Sequence, residues 1–332
     1  ESTMIYGHYI REIGRGARGA RSLERDDARQ LYAAMLDGGV PDLELGAIIL
    51  ALRVKGVAPD EMLGFLAALD ERTNRLALPS GRVRPVVLPT YSGAREEPNL
   101  TPLLALLLQR FGVPVLVHGL LEGLGRVTTG LIFRELGIMP MASAAQAQAR
   151  LEEQGLAFLP LNGLCPGAYS LLNLRSRLGV RNTAHSLVKL INPFDGDAVL
   201  IAPATHPEFI DLMRDMLLER GQRGLLLRAS EGEPFANPRC RPRLEYIHDG
   251  MTEVLFEAEH ESPRIVSDLP AATDAATTAL WIRRVLDRQV PLPKPLANQL
   301  ACCLVASGYA EDLYQAKAVV AVETNGRSSA AA

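Results

Sequence analysis

Apolar residues recur at helical spacing through residues 1–72. Leu45, Ile48, Ile49 and Leu52 fall at i, i+3, i+4 and i+7 of a segment that starts at Asp42 and stops at Gly56, which predicts an amphipathic helix. Before it, Asp26 is placed to cap a helix running to about Leu36, and Asp37-Gly38-Gly39-Val40-Pro41 breaks that helix with glycines where a left-handed residue is wanted. After it, Pro59-Asp60-Glu61 sets a proline and acids where a helix start favours them, and the third helix reaches about Arg72.

The pattern changes at Pro85. Val86-Val87-Leu88 reads as a short buried strand closed by Pro89, followed by a loop over 90–98 and a helix from Asn99 to about Arg110. Pro114–Val117, Leu156–Leu159, Val199–Ile201, Gly224–Arg228 and Val254–Phe256 continue as strands, with a helix over Gly125–Leu136 and a return to helix over 270–322. Strands alternating with helices predict an α/β fold with a mainly parallel central sheet, preceded by a small helical domain. The expected division is 1–72 and 73–332, with segments near 98–112 and 166–192 expected to pack with the helical domain.

Composition narrows the function classes. Hydrophobic residues form 48% and charged residues 22% of 332 residues, which excludes wholesale disorder. Thirty-five Lys+Arg against 38 Asp+Glu leave −3, which excludes a wholly basic nucleic-acid binder and leaves room for a local basic groove. Four cysteines without a CxxC pair make neither a disulfide framework nor a zinc ribbon, and suit a reducing compartment. No signal-peptide pattern and no apolar run of membrane-spanning length is present, so a cytoplasmic protein without a membrane partner is expected, with residues 328–332 as a frayed tail.

Candidate chemistry starts at the loop 89–98. It leaves the carboxyl end of a strand, where open α/β sheets bind ligands. It feeds a helix start at which Asn99 and Thr101 can cap and free N–H groups can meet an anion.

From here the chain resembles a known family. Val40-Pro41-Asp42, Ala51-Leu52-Arg53-Val54-Lys55-Gly56, Asn99-Leu100-Thr101-Pro102, Val117-His118-Gly119, Leu178-Gly179-Val180-Arg181 and Asn192-Pro193 fall in the order and spacing of the anthranilate phosphoribosyltransferases. The resemblance implies a helical domain that dimerises and a larger α/β domain. It also implies a diphosphate site over Thr90, Ser92, Gly93, Asn99, Thr101, His118 and Gly119, with Glu231 and Glu233 near the family's magnesium-serving acidic pair.

The departures are pointed. The family's Gly-Thr-Gly-Gly-Asp loop is here Pro89-Thr90-Tyr91-Ser92-Gly93, where Pro89 lacks an N–H and Tyr91 sets a ring where backbone should reach phosphate. Its Lys-His-Gly-Asn becomes Val117-His118-Gly119-Leu120, without the lysine, and its His-Pro-Ala-Met-Lys-His becomes Cys165-Pro166-Gly167-Ala168-Tyr169-Ser170. Tyr91 and Tyr169 are expected to fill the vacated pocket. These replacements resemble the YbiB-type branch, which implies homodimers that bind nucleic acid without marked sequence preference.

Charge placement bears on that expectation. Residues 154–194 contain no Asp or Glu but carry Arg175, Arg177, Arg181, His185 and Lys189, a plausible phosphate-facing wall or an acid-poor core stretch. Arg11, Arg15, Arg18 and Arg21 alternate with Gly14, Gly16 and Gly19 in a basic loop, and Arg95 adds a base beside the altered cradle. Arg239, Arg241 and Arg243 lie among acids and read as a salt-bridged surface. The leading expectation is a homodimeric DNA or RNA binder with no cofactor and no catalytic residue. The alternative is a phosphoribosyl or glycosyl transferase in which Glu231 and Glu233 hold Mg²⁺, and a third reading is a protein-interaction scaffold.

Overall fold

The structure is a computed structural model that describes residues 4–260, 265–266 and 268–325; the expectation for the tail at 328–332 lies outside these. The chain opens with α1 (Met4–Ile13), α2 (Arg25–Leu36), α3 (Asp42–Lys55) and α4 (Pro59–Glu71). Ile48, Ile49 and Leu52 are buried as the spacing requires, and Gly56 ends α3 at φ +81°, its N–H donating to the Leu52 carbonyl at 2.9 Å. Asp26 does not cap α2: the cap position is Glu24, and Asp26 sits in the first turn, accepting from Gln30 at 2.9 Å.

The α2–α4 contact is set by glycine. A methyl group at Gly64 would lie 2.3 Å from the Arg25 carbonyl oxygen and 2.8 Å from the Ala28 methyl. This close crossing lets Tyr32 and Phe65 stack at 4.7 Å between ring centroids. Glu61, fully buried in the first turn of α4, accepts from the Ala58 and Leu23 N–H groups and pairs with Lys55 Nζ at 2.5 Å. That pair ties the start of α4 to the end of α3.

The chain then enters the sheet: β1 (Val86–Thr90), α5 (Thr101–Phe111), β2 (Val115–Gly119), α6 (Thr129–Glu135), α7 (Ala144–Gln154) and β3 (Leu156–Pro160). Four short helices follow, α8 (Leu161–Leu164), α9 (Pro166–Asn173), α10 (Arg175–Leu178) and α11 (Ala184–Leu187), with a 3₁₀ turn at Val188–Leu190. The sheet resumes with β4 (Val199–Ala204), α12 (Pro207–Glu219), β5 (Gly224–Arg228), β6 (Leu244–His248) and β7 (Met251–Phe256), and the chain closes with α13 (Ala275–Leu286), α14 (Lys294–Ser307) and α15 (Leu313–Thr324).

Contacts divide the chain into two compact units, one of residues up to Asn74 with Leu161–Pro193, the other of Arg75–Pro160 with the residues from Phe194 on. The helical unit therefore includes α8–α11, which a division at 72 leaves out. The segment near 98–112 is α5, whose leucines belong to the core of the α/β unit. Within the helical unit α9 packs on α2, and Gly167 is required there because a methyl would lie 2.3 Å from the Leu36 carbonyl oxygen.

The seven strands run in the order β3-β2-β1-β4-β5-β6-β7; β1 to β5 are parallel, and β6 and β7 are antiparallel. Val86, Leu88, Val115, Val117, Val199 and Ile201 share one core with Leu103, Leu107, Leu300 and Leu304 of α5 and α14. The alternate residues Val87, Leu116, Leu200 and Leu226 are also buried, as a sheet covered on both faces demands. Pro89 is tolerated in β1 because pairing with β4 stops at Val87, so its missing N–H breaks no ladder bond there.

Replacing Gly64 by Ala gains helix propensity of about 1 kcal/mol but overpacks the α2–α4 crossing, a cost of about 1–3 kcal/mol. The clash with backbone is the larger effect. A lower thermal midpoint for Gly64→Ala than for Ala67→Gly, read by circular dichroism, is the expected outcome.

A self-filled anion cradle and a basic patch

The loop 90–98 leaves β1 at Thr90, and its neighbours are set by how closely β1 and β2 end together. A methyl on Gly119 would lie 1.7 Å from the Thr90 carbonyl oxygen, so only glycine closes β2 here. Gly93 turns at φ +64°, which lets Ala94 bridge to Val127 in antiparallel fashion. The loop is thereby brought against the β5–β6 connection, which carries Glu231-Gly232-Glu233 with Gly232 at φ +88°.

Two carboxylates enter the loop from that one turn. Glu233, buried, accepts at a single oxygen, Oε1, from the Thr90 hydroxyl at 2.7 Å, the Gly93 N–H at 3.0 Å and the Asn99 amide at 3.4 Å. Thr129 joins this group, 2.7 Å from the Thr90 hydroxyl and accepting from Asn99 at 3.1 Å. Glu231 accepts from three successive backbone N–H groups, Arg95 at 3.1 Å, Glu96 at 3.2 Å and Glu97 at 3.1 Å, and Arg126 stands 3.6 Å from it. The N–H cradle of this loop is therefore directed at the protein's own carboxylate.

The structure unites Thr90, Gly93, Asn99 and Glu233 directly. The cap position of α5 is Leu100, not Asn99 or Thr101; the Asn99 side-chain oxygen accepts from the Thr101 N–H at 3.1 Å just ahead of the helix, and the Thr101 hydroxyl is buried without a hydrogen bond. Ser92 lies half-buried on the same loop. His118 is fully buried, its Nδ1 2.5 Å from the Tyr91 hydroxyl and its Nε2 without a partner. Burial pushes its imidazole down to about 3, so it is neutral at pH 7 and offers a diphosphate no positive charge.

Both oxygens of Glu231 and the Oε1 of Glu233 already face N–H and O–H donors, whose positive ends oppose a metal ion at those three atoms. Among the described residues no group of three or more His, Cys, Asp or Glu could hold one. Among the same residues no helix is long and apolar enough to cross a membrane.

The predicted basic residues divide between the units. The acid-free stretch is not one wall: residues 154–160 include the buried strand β3, while Arg175, Arg177, Arg181 and Lys189 lie on α10, α11 and their flanks in the helical unit. There Arg175, Arg181 and Lys189 lie near enough to His185 to act on its charge. Its imidazole is pushed down to about 4, first by burial and then by the repulsion of Arg181, Arg175 and Lys189, against the pull of the Asn182 backbone. Arg177 and Arg181 are exposed, and Arg177 has a loose contact with Asp42 at 3.4 Å.

Arg53, at the end of α3, donates to the Arg181 carbonyl at 3.0 Å, and the neighbouring Lys55 donates to Ser22 at 3.2 Å. The segment carrying Arg15, Arg18 and Arg21 contains a hydrogen-bonded turn, with the Ala20 N–H donating to the Gly16 carbonyl at 3.0 Å. Arg11 is within α1, and the Arg21 N–H donates to the Glu12 carbonyl at 2.7 Å. Arg95 is exposed on the α/β unit, 3.7 Å from Glu96. Arg239 pairs with Glu97 at 3.0 Å, in keeping with a salt-bridged surface.

The sequence reading missed Arg126, Thr129 and the amides of residues 95–97. Nothing in the residue types marks them, because their role comes from backbone position.

This framework has known relatives. The model of a glycosyl transferase family helical bundle domain matches residues 8–73. The anthranilate phosphoribosyltransferase of Methanopyrus kandleri is 26% identical, over 84% of this chain and 84% of its own. Solved structures of anthranilate phosphoribosyltransferases share the fold: the enzyme of Thermus thermophilus superposes with TM-score 0.75 at 23% identity over 92% of both chains. That of Saccharomyces cerevisiae in complex with PRPP and Mg superposes with TM-score 0.74 at 14% identity, over 98% of this chain and 94% of its own. The uncharacterized protein YbiB of Escherichia coli (strain K12) is 46% identical over 92% of this chain and 96% of its own, and with that extent of identity the chain belongs to the YbiB-type branch of the anthranilate phosphoribosyltransferase (glycosyl transferase family 3) superfamily.

Proposed function

We propose that this chain binds nucleic acid through its phosphate backbone, on the helical unit, and that the phosphoribosyltransferase fold serves as the scaffold. The observation that carries the reading is the grouping of Arg175, Arg181 and Lys189 near His185, in a segment without acids, with Arg53 donating to the Arg181 carbonyl at 3.0 Å. A polyanion that meets such a group of bases releases its own counterions on binding. Contacts of this kind position a duplex and read no sequence.

A homodimer doubles the patch. The support is an exposed apolar stripe on α3: Leu43, Leu50 and Val54 are 82%, 52% and 70% exposed, and their spacing puts them on one helix face. A second copy of the chain is the occupant proposed for it.

The second reading, a Mg-dependent phosphoribosyl or glycosyl transferase with an unknown acceptor, has the comparisons behind it. The relatives and the superposable structures named above are anthranilate phosphoribosyltransferases, one of them holding PRPP and Mg, and none speaks for nucleic acid. Against it stands the commitment of Glu231 and Glu233 to the loop donors.

Three measurements separate the readings. If Arg175, Arg177, Arg181 and Lys189 each neutralise one phosphate per protomer, log K against log salt on duplex DNA has a slope of about −7 for a dimer, and Arg175→Ala with Arg177→Ala reduces its magnitude by up to about 4. An affinity insensitive to salt contradicts the proposal.

Sedimentation equilibrium at micromolar concentration is expected to give a dimer, and Leu50→Glu to shift it to single protomers, since a buried unpaired carboxylate is costly. A wild-type chain that sediments as a protomer contradicts the stripe as an interface.

Calorimetry with phosphoribosyl diphosphate and Mg²⁺ is expected to show no binding at micromolar ligand. Micromolar affinity supports the transferase reading instead.

A further inference from the structure

We propose that a cavity in the α/β unit, between the start of α14 and the end of α15, binds an amphipathic carboxylate, an apolar chain with one anionic head. The cavity measures about 560 Å³, a size in the range of small-molecule sites. None of its lining residues belongs to the loop 90–98, to the 231–233 turn or to the helical unit, so the inference is independent of nucleic-acid binding.

Packing leaves the space open. Leu296 and Leu300 of α14 and Ala316 and Val320 of α15 are buried in the core. Beside them stand Ala297 and Ala321, side chains too short to close the gap between the two helices. With Leu292 and Val320 they give the cavity apolar walls, and an alkyl chain laid against such walls displaces water at a gain.

Charge selects the head. The chain has four lysines, and two of them, Lys294 and Lys317, line this one cavity. Neither has an ion-pair partner among the described residues. Lys317 rests on the Phe256 ring, its Nζ 4.8 Å from the centroid, and Arg241 stands 5.2 Å from the same centroid. The ring places the ammonium without neutralising it. Among the described lining residues Asp268 is the one acid, and it is exposed. The positive end of α14 and the negative end of α15 both border the cavity and offset each other, which leaves the sign to the lysines. Two ammonium groups against one carboxylate suit a monoanion. Asn298, whose side chain has no hydrogen-bond partner among the described residues, offers that head a neutral donor.

The protein's single tryptophan reports on the site. Trp281 is buried, and its indole N–H donates to the backbone carbonyl of Asp268. The test is titration of the full chain with decanoate below its micellar concentration, followed by Trp281 emission and by calorimetry. Saturable binding by both readouts is expected. Octanoate, two methylenes shorter, is expected to bind about tenfold more weakly, since each buried methylene is worth about fourfold. Lys294→Ala combined with Lys317→Ala is expected to weaken decanoate by about tenfold or more and to leave decanol, which lacks the charge, unaffected.

Ala321→Phe fills the cavity from an exposed position of α15, and is expected to abolish the tryptophan response while helical content stays the same. Absence of saturable decanoate binding to the wild-type chain overturns the proposal. So does wild-type decanoate affinity in the folded Ala321→Phe chain, which would put the ligand elsewhere on the protein. Equal decanoate affinity with and without the two lysines overturns the choice of an anionic head.

Discussion

The Glu231-Gly232-Glu233 turn holds the front edge of the α/β unit together. Each carboxylate satisfies several donors of the loop 90–97, which otherwise would face the carboxyl end of the sheet with its N–H groups unpaired. Hydrogen bonds to a charged acceptor are worth about 1.5–3 kcal/mol each, and an emptied donor set costs its desolvation besides. The turn therefore decides both the shape of the loop and what the loop can still bind. In phosphoribosyl transfer, stabilising the departing charge is the main task. Here the loop donors are answered internally, His118 beside Tyr91 is neutral, and the guanidinium of Arg126 stands 3.6 Å from Glu231.

Positive charge has a different address. On the helical unit burial, reinforced by Arg181, Arg175 and Lys189, keeps His185 deprotonated, and Arg53 is held by the backbone at Arg181. The same unit contains a buried charge pair, Lys55 with Glu61, which fixes α3 to α4 and thereby the end of α3 that carries Arg53. Packing by glycine at Gly64 and Gly167 brings α2, α4 and α9 close enough to present the patch from a rigid base. Scaffold and charge are in this way separate layers of the same sequence.

Much of the fold was legible because its punctuation is chemical. Gly56, Pro59 and the Gly38-Gly39-Val40-Pro41 break mark helix ends directly, and the five parallel strands are continuous apolar runs. The antiparallel strand β6 escaped because its Glu245 interrupts the apolar run; the structure buries that carboxylate against Arg214 at 2.9 Å, a partner from α12 that no local pattern announces. Helix α1 escaped because the arginine–glycine alternation after it dominates the reading of the first residues. The chain's return to the helical unit at 161–193 has no strong periodicity of its own to announce it, since the helices there are four to eight residues long. Glu231 and Glu233 were recognisable as the acids of the site, but their partners are backbone amides, which side-chain identity does not record.

The proposal is that polyanions meet the helical unit, while the N–H donors of residues 93–97 are already satisfied within the α/β unit. Hydrogen exchange of the full chain, followed by mass spectrometry with and without a DNA duplex, tests it most directly. The account predicts that amides 93–97 are protected in the free protein and unchanged by DNA, while exchange slows in 171–190. Rapid exchange at 93–97 in the free protein, with DNA-induced protection confined to that loop, would contradict it.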